Sequence, residues 1–213
     1  MQSVHKKSFK RQLLSLFIPL YRIYWVFKWK TYAKRNKKVN LIIGGRSTNY
    51  PGWFTTDYYT LDVTKHQHYT KYFSSRKIDK ILAEHVLEHL TIDQIEAMLE
   101  NVKQFASENI NVRIAVPDGY HADQNYIEQV KPNGTGVGSE DHKNLFTYQS
   151  LSEVFEKSGF KTYLVEYWDE KGVFHQGYTN DDKGYVKRSL INDPRNNDKK
   201  PHYTSLIIDF SLA

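Results

Sequence analysis

Four short apolar or β-branched runs, each closed by glycine or a carboxylate, constrain this chain more than any other feature. Residues 39–43 (VNLII) run into Gly44-Gly45, and residues 53–57 (WFTTD) end in Asp57. Residues 78–83 (IDKILA) run into Glu84-His85, and residues 112–116 (VRIAV) into Pro117-Asp118. Runs of this length bounded by turn residues read as buried strands. Between the last two, Thr91 with Gln94 three positions later forms a capping-box signature. It opens a stripe of Ile92, Ile95, Met98, Leu99, Val102 and Phe105 at helical spacing. Strands alternating with helices imply a Rossmann-like α/β fold, a mostly parallel sheet with helices on both faces.

The rest of the chain extends this pattern. Residues 65–77, with Tyr69, Tyr72 and Phe73, read as an irregular or short helical connection, and residues 86–90 as the start of a helix. Residues 119–144 are rich in Gly, Pro, Asn and Asp and read as a long loop over the sheet. Residues 149–159 form a helix capped by Ser150 and closed by Gly159, and residues 160–167 and 204–210 are further strands. At 213 residues there is room for one such domain, over residues 39–213, and a short amino-terminal segment, residues 1–38.

That segment carries the charge. Residues 1–38 hold 11 Lys or Arg and no acid, which leaves 30 − 11 = 19 basic against 24 acidic residues in the body. A basic head precedes the apolar run 13–21 (LLSLFIPLY), but no small-residue cleavage site follows it, so processing as a secretory signal is not expected. Pro19 and Arg22 interrupt the run well short of the roughly 20 apolar residues a membrane span needs. The expectation is a basic, aromatic helical segment over residues 6–35 on an anionic membrane surface, with Trp25 and Trp29 at headgroup depth. The alternatives are an ordinary helix packed on the body or on a second subunit, and a single-pass anchor. The expected location is cytoplasmic, peripheral to the inner membrane face, and no nucleic-acid module accompanies the basic arm. The chain has no cysteine, which excludes disulfides and thiolate metal sites.

In open α/β sheets, ligands lie outside the carboxyl ends of the strands. Glycines there let a ligand approach the backbone, and a carboxylate after the second strand can accept hydrogen bonds from ribose hydroxyls. Gly44, Gly45, Asp57, Glu84 and His85 are therefore the candidate cofactor-binding residues. Gly44-Gly45 lacks the G-x-G-x-x-G spacing of dinucleotide sites. His85-x-x-Glu88-His89 also matches an inverted zinc-protease pattern, with two histidines one helical turn apart. No third ligand helix accompanies it, so no metal is expected, and Glu88 and His89 are assigned to holding the turn. His121, His142 and Asp118 are the candidate catalytic residues, since a group near a strand end can take a proton from an acceptor. Arg188, Asp193 and Arg195 read as an ion-pair cluster that orders the tail or grips a phosphate.

Several segments taken in order carry a family resemblance. These are LIIGGRSTNYPGWFTTD (41–57), AEHVLEHL (83–90), RIAVPDGYH (113–121), DHKNLFTY (141–148), SGF (158–160) and RSLINDPRN (188–196). Together they resemble the class I S-adenosylmethionine-dependent methyltransferases, in particular a bacterial group of predicted methyltransferases found with surface-glycan genes. The resemblance implies S-adenosylmethionine as cofactor, with Gly44 and Gly45 at its methionine end, Asp57 at the ribose, and Glu84-His85 near the sulfonium. It also implies methyl transfer to a polar acceptor, a hydroxyl of a surface or lipid-linked glycan. The family's longer first glycine motif is reduced here to Ile42-Ile43-Gly44-Gly45-Arg46. The rival expectations are a non-catalytic scaffold that keeps the fold and a His/Asp metal-dependent hydrolase.

Overall fold

The computed structural model describes residues 9–45 and 48–213, with side chains from Phe17 onward. The head residues 6–8 and Arg46-Ser47 of the loop after the first strand lie outside the described residues. Strands β1 (Asn40–Ile43), β2 (Phe54–Thr55), β3 (Ile78–Glu84), β4 (Ala106–Pro117), β5 (Phe160–Trp168), β6 (Phe174–His175) and β7 (Ser205–Leu212) form one sheet in the order β2-β1-β3-β4-β7-β5-β6. The pairs β1/β2, β1/β3 and β3/β4 are parallel, while β7 runs antiparallel between β4 and β5. Five strands therefore point the same way, and their carboxyl ends converge on one edge.

The alternation of side chains decides what covers each face. Leu41, Ile43, Ile81, Ala83, Val112, Ile114, Val116, Leu206, Ile208 and Phe210 meet one large apolar cluster. Helices α1 (Phe9–Arg35), α2 (His66–Phe73), α3 (Ile92–Phe105) and α5 (Tyr148–Lys157) all contribute to it, through Trp29, Tyr69, Tyr72, Phe73, Ile95, Met98, Leu99, Val102, Leu151 and Phe155. The expected Rossmann-like, mostly parallel sheet is present, but these helices share one face. The other face is a smaller cluster of Ile42, Leu82, Ala115 and Ile207 under Tyr178 and Val186. It is covered by residues 177–204, in which the one regular element is a 3-10 turn, Pro194–Asn196.

A buried ion network fastens that cover. Arg113, on β4 between Val112 and Ile114, donates to both oxygens of Asp209 on β7 at 2.7 and 2.9 Å. It also donates to both oxygens of Asp181 at 2.7 and 3.0 Å and to the carbonyl of Gly184. A guanidinium that is 1 % exposed needs such partners, because an unpaired charge there costs several kcal/mol. Asp209 therefore sits between Ile208 and Phe210 within a buried stretch of the strand.

Local signals set the helix boundaries. Thr91 and Gln94 form the expected capping box at α3, with both reciprocal bonds made. At α5 the cap is Thr147, and Ser150, expected to be the cap, is its capping-box partner three residues in. The stretch 119–144 is not all loop: Asp123 caps a short helix, α4 (Gln124–Val130), and a 3-10 turn follows at Ser139–Asp141. Residues 87–89 form a 3-10 turn rather than the expected start of a helix.

From Phe9 to Arg35 the basic segment is one helix straight through Pro19. From Tyr21 onward one stripe of it joins the body: Trp29 is buried against Phe54, Tyr72 and Phe73, and Trp25 Nε1 donates to the carbonyl of Thr55. Trp25 and Trp29 are thus body contacts, not headgroup anchors. A second stripe, Phe17, Leu20, Ile23, Tyr24 and Phe27, is exposed. Among the described residues no helix is long and apolar enough to cross a membrane.

Candidate functional site

The chain leaves β1 to form β2 on one side and β3 on the other, so the order reverses at the carboxyl end of β1. Such a switch point opens a crevice between loops that diverge in opposite directions. Here the crevice is a cleft of about 790 Å³ lined by Ile43, Gly44, Asp57, His85, Glu88, His89, Asp141, His142 and Arg188, among others. A second, smaller cavity of about 380 Å³ lies beside it, walled by Gly44, Gly45, Glu84, Lys187 and Arg188.

Each sequence-predicted cofactor residue lines one of these two spaces, yet several have work within the fold. Gly44 has φ +70, and a Cβ there would lie 2.5 Å from Val86 Cγ2. A Cβ on Gly45 would meet Ile42 and Thr55 at 2.7 and 2.8 Å. Both glycines are therefore required by backbone conformation or packing at the turn, independently of any ligand. Asp57 Oδ1 accepts from the backbone N–H groups of Tyr59 and Thr60 and from the Thr60 hydroxyl. Its Oδ2 accepts from Tyr21 on α1 at 2.8 Å. A carboxylate oxygen has two lone pairs, so Oδ2 has room for one more donor from the cleft. Burial, together with Asp57, pushes the Tyr21 hydroxyl up to about 12, which keeps it protonated and donating.

Glu84 faces the cover segment. Its carboxylate accepts from the backbone N–H groups of Lys187 and Arg188 at 3.2 and 2.9 Å and lies 3.8 Å from the Arg188 guanidinium. This holds residues 187–188 at the rim, so Glu84 is an anchor first. Arg188 makes no ion pair with the rest of the expected cluster: among the described residues Asp193 pairs with Arg195 at 2.6 Å, and Arg195 stacks on Tyr203. Arg188 instead lines both cavities.

His85 adopts φ +53, a left-handed conformation that costs a non-glycine residue about 1–2 kcal/mol. The turn points its ring between Ser205, 3.1 Å from Nε2, and Glu88, whose Oε1 is 3.2 Å from Nδ1. Glu88 is 1 % exposed. Burial raises its carboxyl, but the bond and charge of His85 outweigh that and bring it below the usual glutamate value. His85 and His89 therefore do not share a helical face, as the zinc-protease pattern requires.

Of the three candidate catalytic residues only His142 reaches the cleft. Asp118 is fully buried, with Oδ1 accepting from Tyr120 N–H and Oδ2 from Trp168 N–H, and its burial raises it to about 6. It ties the end of β4 to the end of β5. His121 is stacked 3.9 Å from Tyr126 and accepts from the Asp123 N–H through Nδ1, and burial lowers it to about 4. Both residues are placed by packing and do not line the cleft. Their strand-end positions carried no sign of this, because successive residues there point to opposite sides. His142 lies beside His89, ring centroids 4.8 Å apart, and together with Glu88 they bring one donor atom each within 4.8 Å of one another, close enough to hold a metal ion between them.

No family model and no curated protein matches the sequence. Solved structures of similar shape include LepI in complex with S-adenosylmethionine, at 10 % identity and TM-score 0.49, over 85 % of this chain and 44 % of that one. The chain thus spans less than half the length of LepI. A methyltransferase from Archaeoglobus fulgidus aligns at 13 % identity and TM-score 0.45, over 90 % of this chain and 93 % of that one. The magnesium protoporphyrin IX methyltransferase of Synechocystis, with bound S-adenosylhomocysteine, aligns at 10 % identity and TM-score 0.42, over 98 % and 89 %.

Proposed function

We propose that this chain is an S-adenosylmethionine-dependent methyltransferase acting on a polar acceptor. The observation that carries the proposal is the coincidence of a topological switch point with the large cleft. A left-handed glycine turn follows β1 there, and a carboxylate with spare accepting capacity follows β2. In this arrangement Gly44 would line the methionine end of the cofactor, Asp57 Oδ2 would accept from a ribose hydroxyl, and His85 would border the sulfonium. The family resemblance of the strand-end segments points the same way.

When bound, the cofactor would supply its methyl group to a lone pair of the acceptor oxygen, the C–S bond breaking with its electron pair returning to sulfur. The products are the methyl ether and S-adenosylhomocysteine. Holding the two reactants in line supplies much of the rate. The hydroxyl proton passes to solvent water on the side of the cleft walled by His89 and His142.

The acceptor class we favour is a hydroxyl on a surface or lipid-linked glycan, met at a membrane. Support for the membrane lies in the outward stripe of α1, where Phe17, Leu20, Tyr24 and Phe27 are exposed beside Lys28, Lys30 and Lys34. An apolar stripe flanked by cations suits an anionic bilayer surface.

Calorimetry with S-adenosylhomocysteine on the intact chain and on Asp57→Ala tests the cofactor assignment. Saturable binding that Asp57→Ala weakens at least tenfold is expected. A flat isotherm at millimolar ligand would favour a non-catalytic protein that keeps the fold.

A further inference from the structure

The wall of the cleft formed by Glu88, His89 and His142 has no role in holding the fold that accounts for its chemistry. One donor atom from each residue lies within 4.8 Å of the others. Glu88 is 1 % exposed; His85 Nδ1 lies 3.2 Å from Oε1, and Oε2 has no partner. A buried carboxylate with one oxygen left unpartnered, beside two imidazoles, has an open place for a cation.

Two further features orient the group. The Nδ1–H of His142 donates to the carbonyl of Val130 at 2.6 Å, which leaves the lone pair on Nε2 for a ligand. A backbone carbonyl on the remote nitrogen is the usual support of a metal-bound histidine. The two halves of the group, more than fifty residues apart, are also stitched together. The carbonyl of Glu88 accepts from the N–H groups of Lys143 and Asn144, and the Asn144 side chain donates to the carbonyl of Leu90. The turn carrying Glu88 and His89 and the loop carrying His142 are therefore held in register without any ion.

We infer that Glu88, His89 and His142 bind a divalent transition-metal ion, zinc or one of its neighbours, with its remaining coordination positions open to the cleft. Two imidazoles and one carboxylate are a donor set for zinc, iron, cobalt or nickel rather than for calcium. Ligand atoms around a tetrahedral zinc, at bonds of roughly 2.0–2.1 Å, sit about 3.3 Å apart. Small rotations of the two half-buried rings close the remaining gap. His85 then supports Glu88 from behind through Oε1 and is not itself a ligand. The ion site stands apart from the methyltransferase proposal. One extension rests on that proposal: the open positions hold the acceptor oxygen and ease loss of its proton to solvent.

The test is metal content. The full chain is stripped with a chelator, dialysed against micromolar Zn²⁺ or Co²⁺, and assayed by mass spectrometry for metal and by visible absorption for the cobalt form. About one equivalent per chain is expected, with a cobalt spectrum of four or five ligands. His89→Ala and His142→Ala, both at half-buried positions, should each weaken binding by more than the roughly 10–100-fold typical of losing a supporting partner. His202→Ala, whose ring pairs with Asp198 on the surface, should leave it unchanged. Circular dichroism of every variant shows whether it has folded, and Glu88→Gln gives a third arm if either alanine variant does not. Substoichiometric metal in the parent chain, or equal metal in folded His89→Ala and His142→Ala, overturns the inference. Binding of S-adenosylhomocysteine by the stripped protein separates the two claims. Cofactor without metal leaves only the methyltransferase proposal, and metal without cofactor leaves only the ion site.

Discussion

Glu166 on β5 is fully buried, with one carboxylate oxygen accepting from the Leu190 N–H at 2.8 Å and the other without a partner. Burial pushes it from 4.5 up to about 7, the Leu190 bond offsetting only part of the rise. Because the folded state holds this proton more tightly than the unfolded chain, the group's contribution to stability is fully present below pH 4.5. It is lost as pH rises through about 7. At about 1.4 kcal/mol per unit, the full loss is on the order of 3 kcal/mol. Glu166→Gln keeps the acceptor for Leu190 and removes the ionisation, and the cost of its unpartnered amide N–H groups is the same at every pH. Urea unfolding at intervals from pH 4.5 to 8.5 should show the stability of the variant relative to the parent rising with pH. Between the acid end and pH 8 the variant should gain about 2–3 kcal/mol on the parent. Asp118, raised to about 6, and His121, lowered to about 4, add slopes of opposite sign, but both occur in parent and variant and cancel in the difference. Parallel curves across the whole range would refute the reasoning.

Gly44→Ala must place a side chain at φ +70 and 2.5 Å from Val86, so a loss of about 2–4 kcal/mol is expected by urea unfolding. Adding Val86→Ala should recover the steric part and leave the backbone part. Arg113→Met leaves the buried Asp209 with Lys183 at 3.3 Å as its remaining cation and should cost about 3 kcal/mol, whereas Arg113→Met with Asp209→Leu and Asp181→Asn should regain most of it. Leu20→Asp with Phe27→Asp, both on the exposed stripe of α1, should reduce cosedimentation with anionic vesicles at least tenfold while thermal unfolding stays within about 2 °C; unchanged cosedimentation would remove the membrane from the account.

The strands and α3 were legible because their signals are local. Residues 39–43, 78–83 and 112–116 carry apolar runs, and Thr91 with Gln94 carries both halves of a cap. Helix α4 is seven residues with Asp123 at its cap, too short to show a period against the glycine-rich background around it. The docked face of α1 was not legible. Trp25 and Trp29 form one stripe and Leu20, Tyr24 and Phe27 another, both aromatic and apolar, so only the presence of Phe54 and Phe73 in the body decides between them. In the site, the strand-end positions of Gly44, Asp57, Glu84 and His85 followed from the order of the elements. What their side chains do did not, because Tyr21, Lys187 and Ser205 reach them from distant parts of the chain. The pairing of His142 with Glu88 and His89 is likewise a long-range contact. Glu88 and His89 were assigned to the turn, and the turn does form, but the bare carboxylate of Glu88 becomes visible only once its surroundings are in place.

A crystal structure of the intact chain grown with S-adenosylhomocysteine tests the central claim most directly. The account predicts the ligand in the cleft after β1, with a ribose hydroxyl on Asp57 Oδ2 beside Tyr21, its methionine end along Gly44, and its sulfur near His85. An empty cleft at saturating ligand, or the ligand bound elsewhere on the chain, would contradict it.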